Sequence, residues 1–291
     1  MQPPDRQTCL TTLGQRLTQV QALDPEAPIT PSQHESLRIS LHRLDLEAPV
    51  SSSLRNFFIP WPLSAIHSYP LNLKNEDTTR SLNHSNDIMT HGRKAFRGLG
   101  PSPYCRVEIL AYEIMCHYEA YPRIGVDNGT EPLESMMNWR CKALHDFDNN
   151  PLCVDIDMRR TLVRPPWMIH STWMVNSRTP HVKMVVQHDM EGKEETLLRS
   201  EILAILASMV SRLSPNMGNL KDHMTIPVMM ISVCRPLHAR VLVAYFDGSH
   251  LIIQKTPLVS FENPEDRAQA FDFFTAHLAA DVNTEEDTTR L

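Results

Sequence analysis

Glycine is scarce in this 291-residue chain, at 9 residues against 22 prolines. A dinucleotide-binding loop depends on closely spaced glycines, and neither G-x-G-x-x-G nor G-x-x-x-x-G-K-[ST] occurs. The proline surplus makes the non-regular parts stiff and extended. Long apolar runs are also missing. No stretch approaches the ~20 residues needed to span a bilayer, and the first eight residues lack the apolar core of a secretory signal. The expectation is a cytoplasmic or nuclear protein, not secreted and with no membrane partner. Cys9, Cys105, Cys116, Cys141, Cys153 and Cys234 would then be reduced thiols. They contain no C-x-x-C pair, so zinc-ribbon and dithiol redox spacings are absent. Strong charge is lacking too: 21% charged residues and a net charge of -6 do not indicate a nucleic-acid partner. There is no G-x-S-x-G elbow for a hydrolase triad and no H-E-x-x-H among the 14 histidines.

What is present is a regular block over residues 199–281. Leu198, Ile202, Ile205, Leu206, Met209 and Leu213 recur at three- and four-residue steps, one stripe of an amphipathic helix, with Glu201, Ser208 and Ser211 off the stripe. Ser214-Pro215-Asn216 and Gly218-Asn219 should end that helix. Residues 226–234 form an unbroken apolar run, suited to a strand covered on both faces. Two further strand-like segments, 240–246 and 251–255, flank Asp247-Gly248, a hairpin signal because the tight turn needs positive φ. Asn263-Pro264-Glu265-Asp266 reads as cap, N1 proline and first-turn carboxylates of a closing helix striped by Phe271, Phe274 and Leu278.

Upstream, Leu10, Leu13, Leu17 and Val20 make one helical stripe and Leu37, Leu41 and Leu44 a second, with breakers between them. From residue 48 to 103 periodicity vanishes. Phe57-Phe58-Ile59-Pro60-Trp61-Pro62-Leu63 should lie extended across a surface or mediate a contact, and 72–86 reads as a polar loop. Residues 106–118 read as a helix, 136–144 as a shorter one, and 153–158, 167–175 and 182–186 as strands. The expected fold class is α+β: a single main domain with a central mixed β-sheet flanked by helices, preceded by an N-terminal helical hairpin and a proline-rich lead-in. In ranges, 1–47 is the helical segment, 48–103 an irregular linker, 104–281 the α+β domain and 282–291 a disordered tail.

Several constellations could carry chemistry. Asp146-Phe147-Asp148-Asn149-Asn150 begins like a calcium loop, but Pro151 stands where glycine must turn. Asp155 and Asp157 alternate on a strand, so both carboxylates share one face, as a divalent-ion site requires. A solvent-facing strand edge explains the same alternation. Cys116-His117 lies near a helix end, where the dipole accounts for the histidine. His91-Gly92-Arg93-Lys94-Ala95-Phe96-Arg97-Gly98 is the densest basic patch, more in keeping with a solvated face than a phosphate contact. A small-molecule enzyme would need a deep cavity lined by Trp167, His170 and Trp173.

The run Glu201-Ile202-Leu203-Ala204-Ile205-Leu206, with Ile226-Pro227-Val228, Ala244-Tyr245-Phe246-Asp247-Gly248 and Leu251-Ile252-Ile253, resembles the C-terminal part of an uncharacterised protein family of filamentous fungi. That resemblance covers residues 199–281 and implies an intracellular accessory or interaction protein with an unknown protein partner, some members lying beside specialised-metabolite gene clusters. It carries no catalytic signature and implies no cofactor. A second likeness is to the restriction-endonuclease-like fold. It would make Glu108 the helical acid, Asp157 the strand aspartate and Lys183 the catalytic lysine, with Asp155 and Asp157 holding magnesium. His181-Val182-Lys183 departs from the (D/E)-x-K pattern by lacking its carboxylate, which implies a degenerate site.

Overall fold

The computed structural model describes residues 5–44, 54–92, 103–142, 167–175 and 178–291. In chain order its elements are α1 (Arg6–Gln21), β1 (Pro28–Ile29), α2 (Pro31–Ser36), β2 (Ile39–Arg43), β3 (Phe58–Ile59), α3 (Leu63–Ser68), α4 (Glu76–His91) and α5 (Pro103–Glu119). They continue as β4 (Arg140–Lys142), β5 (Trp167–Met174), β6 (Val182–Glu191), β7 (Leu197–Leu198), α6 (Arg199–Leu213) and β8 (Val228–Arg235). The chain closes with β9 (His238–Phe246), β10 (Leu251–Lys255), β11 (Val259–Ser260), α7 (Arg267–Leu278) and β12 (Asp281–Val282). One mixed eight-stranded sheet runs in the order β2-β10-β9-β8-β6-β5-β4, with β11 beside β9. Two of its pairs, β2 with β10 and β6 with β8, are parallel. The fold class is the α+β arrangement expected. Among the described residues, no helix is long and apolar enough to cross a membrane.

Strand alternation divides the core. Val182, Met184 and Val186 of β6, with Val228 and Met230 of β8, pack under α6 and α1. Val185, with Met229, Ile231 and Val233, packs under α5 and α7 on the other face. A strand covered on both sides has no solvent face, which is why 226–234 reads as an unbroken apolar run. The helix over 199–213, strands β8 to β10 and the hairpin turn all match expectation. Gly248 takes φ 96, and Asp247 Oδ1 accepts the amides of Ser249 at 2.7 Å and His250 at 2.6 Å.

Five local expectations are corrected. The second N-terminal helix stops at Ser36; residues 39–43 are β2, paired with β10, so Leu41 packs on the α6 side and Leu44 on the α5 side. A three-residue step puts Leu41 and Leu44 on opposite faces of a strand, and both faces of this sheet are covered, so pairing with the open edge of β10 outweighs the helical spacing. The N-terminal segment is therefore part of the sandwich: α1 packs on α6 and β2 completes the sheet. Within the expected irregular linker, α4 is helical. Asn75 caps it by accepting Thr78 N at 2.9 Å, and it docks on α5 through Thr78, Ser85, Ile88 and Met89, a face too polar to register as a stripe. The expected helix at 136–144 is a 3₁₀ turn, Leu133–Met136, followed by β4. Asn263 makes a turn onto Glu265 and Asp266, and α7 begins at Arg267. Residues 282–291, expected as a disordered tail, are tied down: Val282 ends β12, Thr288 O accepts the amides of Met224 and Thr225, and Arg55 pairs with Glu286 at 3.2 Å.

Gly192 marks a close approach beside this sheet. A Cβ there would collide with the buried Cys234 Sγ and crowd Leu258. Gly192→Ala is expected to lose about 1–3 kcal/mol by overpacking, read from the urea midpoint. An unchanged midpoint would mean that Cys234 moves aside freely.

Candidate functional site

Lys183 reaches inward from the start of β6 and is fully buried. Its Nζ donates to Leu278 O at 2.9 Å and Ala280 O at 2.5 Å, the carbonyl end of α7, and lies 3.7 Å from the Trp139 ring centroid. Trp139 Nε1 donates to the same Ala280 carbonyl at 2.8 Å. Cation and indole thus close a helix C-terminus whose dipole favours positive charge. Burial pushes the amine well below its ordinary range, with Asp281 pulling the other way.

Glu108 is half-buried on α5; burial pushes the His170 imidazole down, with Gln187 and then Glu108 opposing it. Among the described residues, no hydrogen bond or ion pair joins Glu108 to Lys183, and no group of three histidine, cysteine, aspartate or glutamate side chains is placed to hold a metal ion. Asp155 and Asp157 lie outside the described residues, as do the 146–150 loop, the 153–158 strand and all but His91 and Gly92 of the basic patch. The shared pocket of Trp167, His170 and Trp173 is not formed. Trp167 packs toward the α6 side of the sheet, whereas Trp173 is buried on the α5 side against Tyr118 and donates Nε1 to Glu119 Oε2 at 3.1 Å. A β-bulge at His170 lets that ring bond Gln187 Oε1 at 2.6 Å. Cys116 and His117 are both closed in. Burial pushes the thiol up to about 12, and it holds the imidazole down to about 3 where it stacks on Phe271.

The densest buried polar cluster had no sequence expectation attached to it. Glu201, off the apolar stripe of α6, is fully buried and accepts from Arg240 Nε at 2.9 Å, Arg240 Nη2 at 2.6 Å, Ser232 Oγ at 2.6 Å and Leu198 N at 2.7 Å. Burial alone would raise this carboxyl, but Arg240 brings it below its ordinary value. Both oxygens are saturated, so the cluster has no free acid or base. Its one readable signal was an arginine at the start of an apolar strand. A cleft of about 250 Å³ at the end of α6 is lined by Arg6 and Lys221, but the Arg6 guanidinium is engaged by the carbonyls of His223 and Arg212.

An apolar surface stands out near the same end of α7 as Lys183. The proline-rich run 57–63 is split: Phe57 and Phe58 are buried over His181, while Ile59 and Leu63 face outward. Of the six large apolar side chains most exposed among the described residues, four belong to this region: Ile59 at 48%, Leu63 at 40%, Leu73 at 62% and Ile124 at 50%. Two half-buried rings lie on the same segments. Trp61 and Tyr69 lie with centroids 6.3 Å apart, Tyr69 abuts Gly125, and Ile124 N donates to Pro70 O. The platform is held from beneath: Trp61 Nε1 donates to Asp281 Oδ2 at 3.2 Å, Trp61 N to Ala276 O, and buried Arg123 donates to Tyr69 O at 3.1 Å and His117 O at 2.5 Å. Comparison of the chain with protein-family models, with curated proteins and with solved structures found no match.

Proposed function

We propose that this chain acts by binding, as an accessory or interaction protein whose contact surface is the apolar platform around Trp61 and Tyr69. The observation that carries this reading is that four of the six most exposed large apolar side chains lie on the segments that meet at the braced Trp61–Tyr69 pair. Single exposed apolar residues are ordinary, whereas several on segments that meet over a rigid support suit an interaction site. The engagement of Lys183 by the end of α7 counts against the rival, a magnesium-dependent nuclease-like enzyme using Glu108, Asp157 and Lys183.

A photo-crosslinking residue at position 63 of the full chain, expressed in its source cells, tests the proposal. One discrete adduct to an identified protein is expected. It should re-form with that protein purified and disappear when Ile59 and Ile124 are both replaced by aspartate. Absence of any discrete adduct, or magnesium-dependent cleavage of DNA or RNA by the purified chain that Lys183→Ala abolishes, would overturn it.

A further inference from the structure

The cleft at the end of α6 shares no residue with the platform, and its lining has a chemistry of its own. We infer that it binds a small amphipathic carboxylate, an apolar body of roughly ten non-hydrogen atoms carrying one negative charge. The cleft holds about 250 Å³ between the first turn of α1 and the end of α6. Leu213, Pro215 and Met217 give it an apolar wall, Gln7 and Ser214 add polar edges, and Arg6 and Lys221 supply two cations. No carboxylate lines it. That volume falls just below the usual range for ligand sites, so the occupant is small.

The sign of the charge follows from the cations. Arg6 spends one N–H each of Nη1 and Nη2 on the carbonyls of His223 and Arg212, and a guanidinium has five. Those carbonyls accept hydrogen bonds but bring no formal negative charge. Behind Arg6, Arg212 is 4% exposed; its Nη2 donates to Thr179 O at 2.7 Å and its Nε has no partner. Burial lowers the Arg212 guanidinium to about 10, and the charge of Arg6 adds to the effect, so the two groups are neighbours. Lys221 stands exposed at the mouth. Among the described residues, none of these three cations is in an ion pair. An enclosed guanidinium without a counter-ion is costly. An anion in the cleft offsets that cost.

The size of the charge follows from the carboxylates nearby. Asp5 caps α1 by accepting Thr8 N at 2.7 Å. Burial lowers the Arg6 guanidinium, with Cys9 and the exposed Asp222 opposing it. Set against three cations, Asp5 and Asp222 leave one net positive charge, which suits a carboxylate and not a dianionic phosphate ester. The helix ends agree. Arg6 and Gln7 open the 16-residue α1, so its positive end borders the cleft. The negative end of α6 is covered where Arg6 takes the Arg212 carbonyl at 2.9 Å.

The test uses the full chain labelled with ¹³C-methyl methionine, the Met217 resonance being assigned by its loss in Met217→Leu. Octanoate is expected to shift that resonance saturably, with a Kd of about 1 mM or tighter. Acetate, which lacks the apolar body, and octylammonium, which reverses the charge, should each bind at least about tenfold more weakly. Octyl phosphate should gain nothing over octanoate. Lys221→Glu should weaken octanoate by at least about tenfold while leaving the other methionine resonances in place. A Met217 resonance unmoved by octanoate at millimolar concentration overturns the inference. Equal binding of octylammonium, tighter binding of octyl phosphate, or an unchanged Kd in Lys221→Glu does so as well. None of these readings depends on the position-63 adduct, so the binding reading stands or falls separately.

Discussion

Acidification from about pH 6.5 to about pH 4 is expected to unfold this protein, with stability falling by roughly 5 kcal/mol per pH unit at the steepest point. Four histidines are responsible. His117, His181, His188 and His277 are all buried. Burial holds the first two down to about 3 and the other two to about 4. Nearby cations add to it, Arg123 at His117 and Lys183 at His181 and His277, whereas at His188 Glu201 opposes burial more than Arg240 supports it. Both ring nitrogens of His117 and of His181 are without a hydrogen-bond partner. In the folded state these rings stay neutral, whereas in the unfolded chain they charge near pH 6.5. The unfolded state therefore binds more protons below that value, so stability is complete above it and is lost as the pH falls. Each ring contributes about 1.4 kcal/mol per pH unit, and four together give the figure above. Glu113 and Glu119 act in the opposite sense. Burial raises both carboxyls, so their protonation favours the folded state between their raised values and the unfolded pKa, softening the fall. Urea midpoints measured across this range test the expectation. His181→Phe, which keeps a ring beside Phe57 and Phe58, should flatten the slope by about 1.4 kcal/mol per pH unit. A midpoint that stays constant down to about pH 4.5 would contradict the neutral, buried state of these rings.

Arg240→Met is expected to cost about 3–5 kcal/mol, because it leaves the Glu201 carboxylate enclosed with no cation beside it. The pair is fully buried at 2.6 Å, so water cannot replace the lost guanidinium. Glu201→Met should be similarly costly, since it strands the Arg240 charge together with the Leu198 amide and the Ser232 hydroxyl. Replacing both by methionine should cost less than the sum of the two by at least about 2 kcal/mol, because neither charge is then left alone. Chemical denaturation of the three variants decides the matter. Strict additivity would mean that the two side chains do not depend on one another, contrary to their geometry.

The parts of the fold legible in the chain were those whose pattern is local. Helix α6 announces itself by a stripe and by its breakers, and the β9–β10 hairpin by a single Asp-Gly. Helix α4 was read as a loop because its buried face is made of Thr78 and Ser85 as well as Ile88 and Met89, and hydropathy registers only the last two. Strand β2 was read as helix because Leu37, Leu41 and Leu44 satisfy a helical spacing, while the partner that selects the strand lies more than two hundred residues away. The candidate surface was half legible. The run 57–63 was read as lying extended across a surface or mediating a contact, but its alignment with Tyr69 and Ile124 depends on how distant loops meet.

By itself the sequence determined the scarcity of glycine that excludes a dinucleotide loop, the α+β class, and the helices and strands of its last third. Each of these follows from composition or from periodicity within about one element's length. The tertiary structure decided what the polar residues do. Lys183 closes a helix end, Glu201 meets Arg240 inside the core, and Trp61 is presented at the surface while Phe57 and Phe58 are buried. A charge or a ring carries the same letter in the sequence whether it faces water, a carbonyl or a partner. Its role is set by neighbours that only the folded chain brings within a few ångströms.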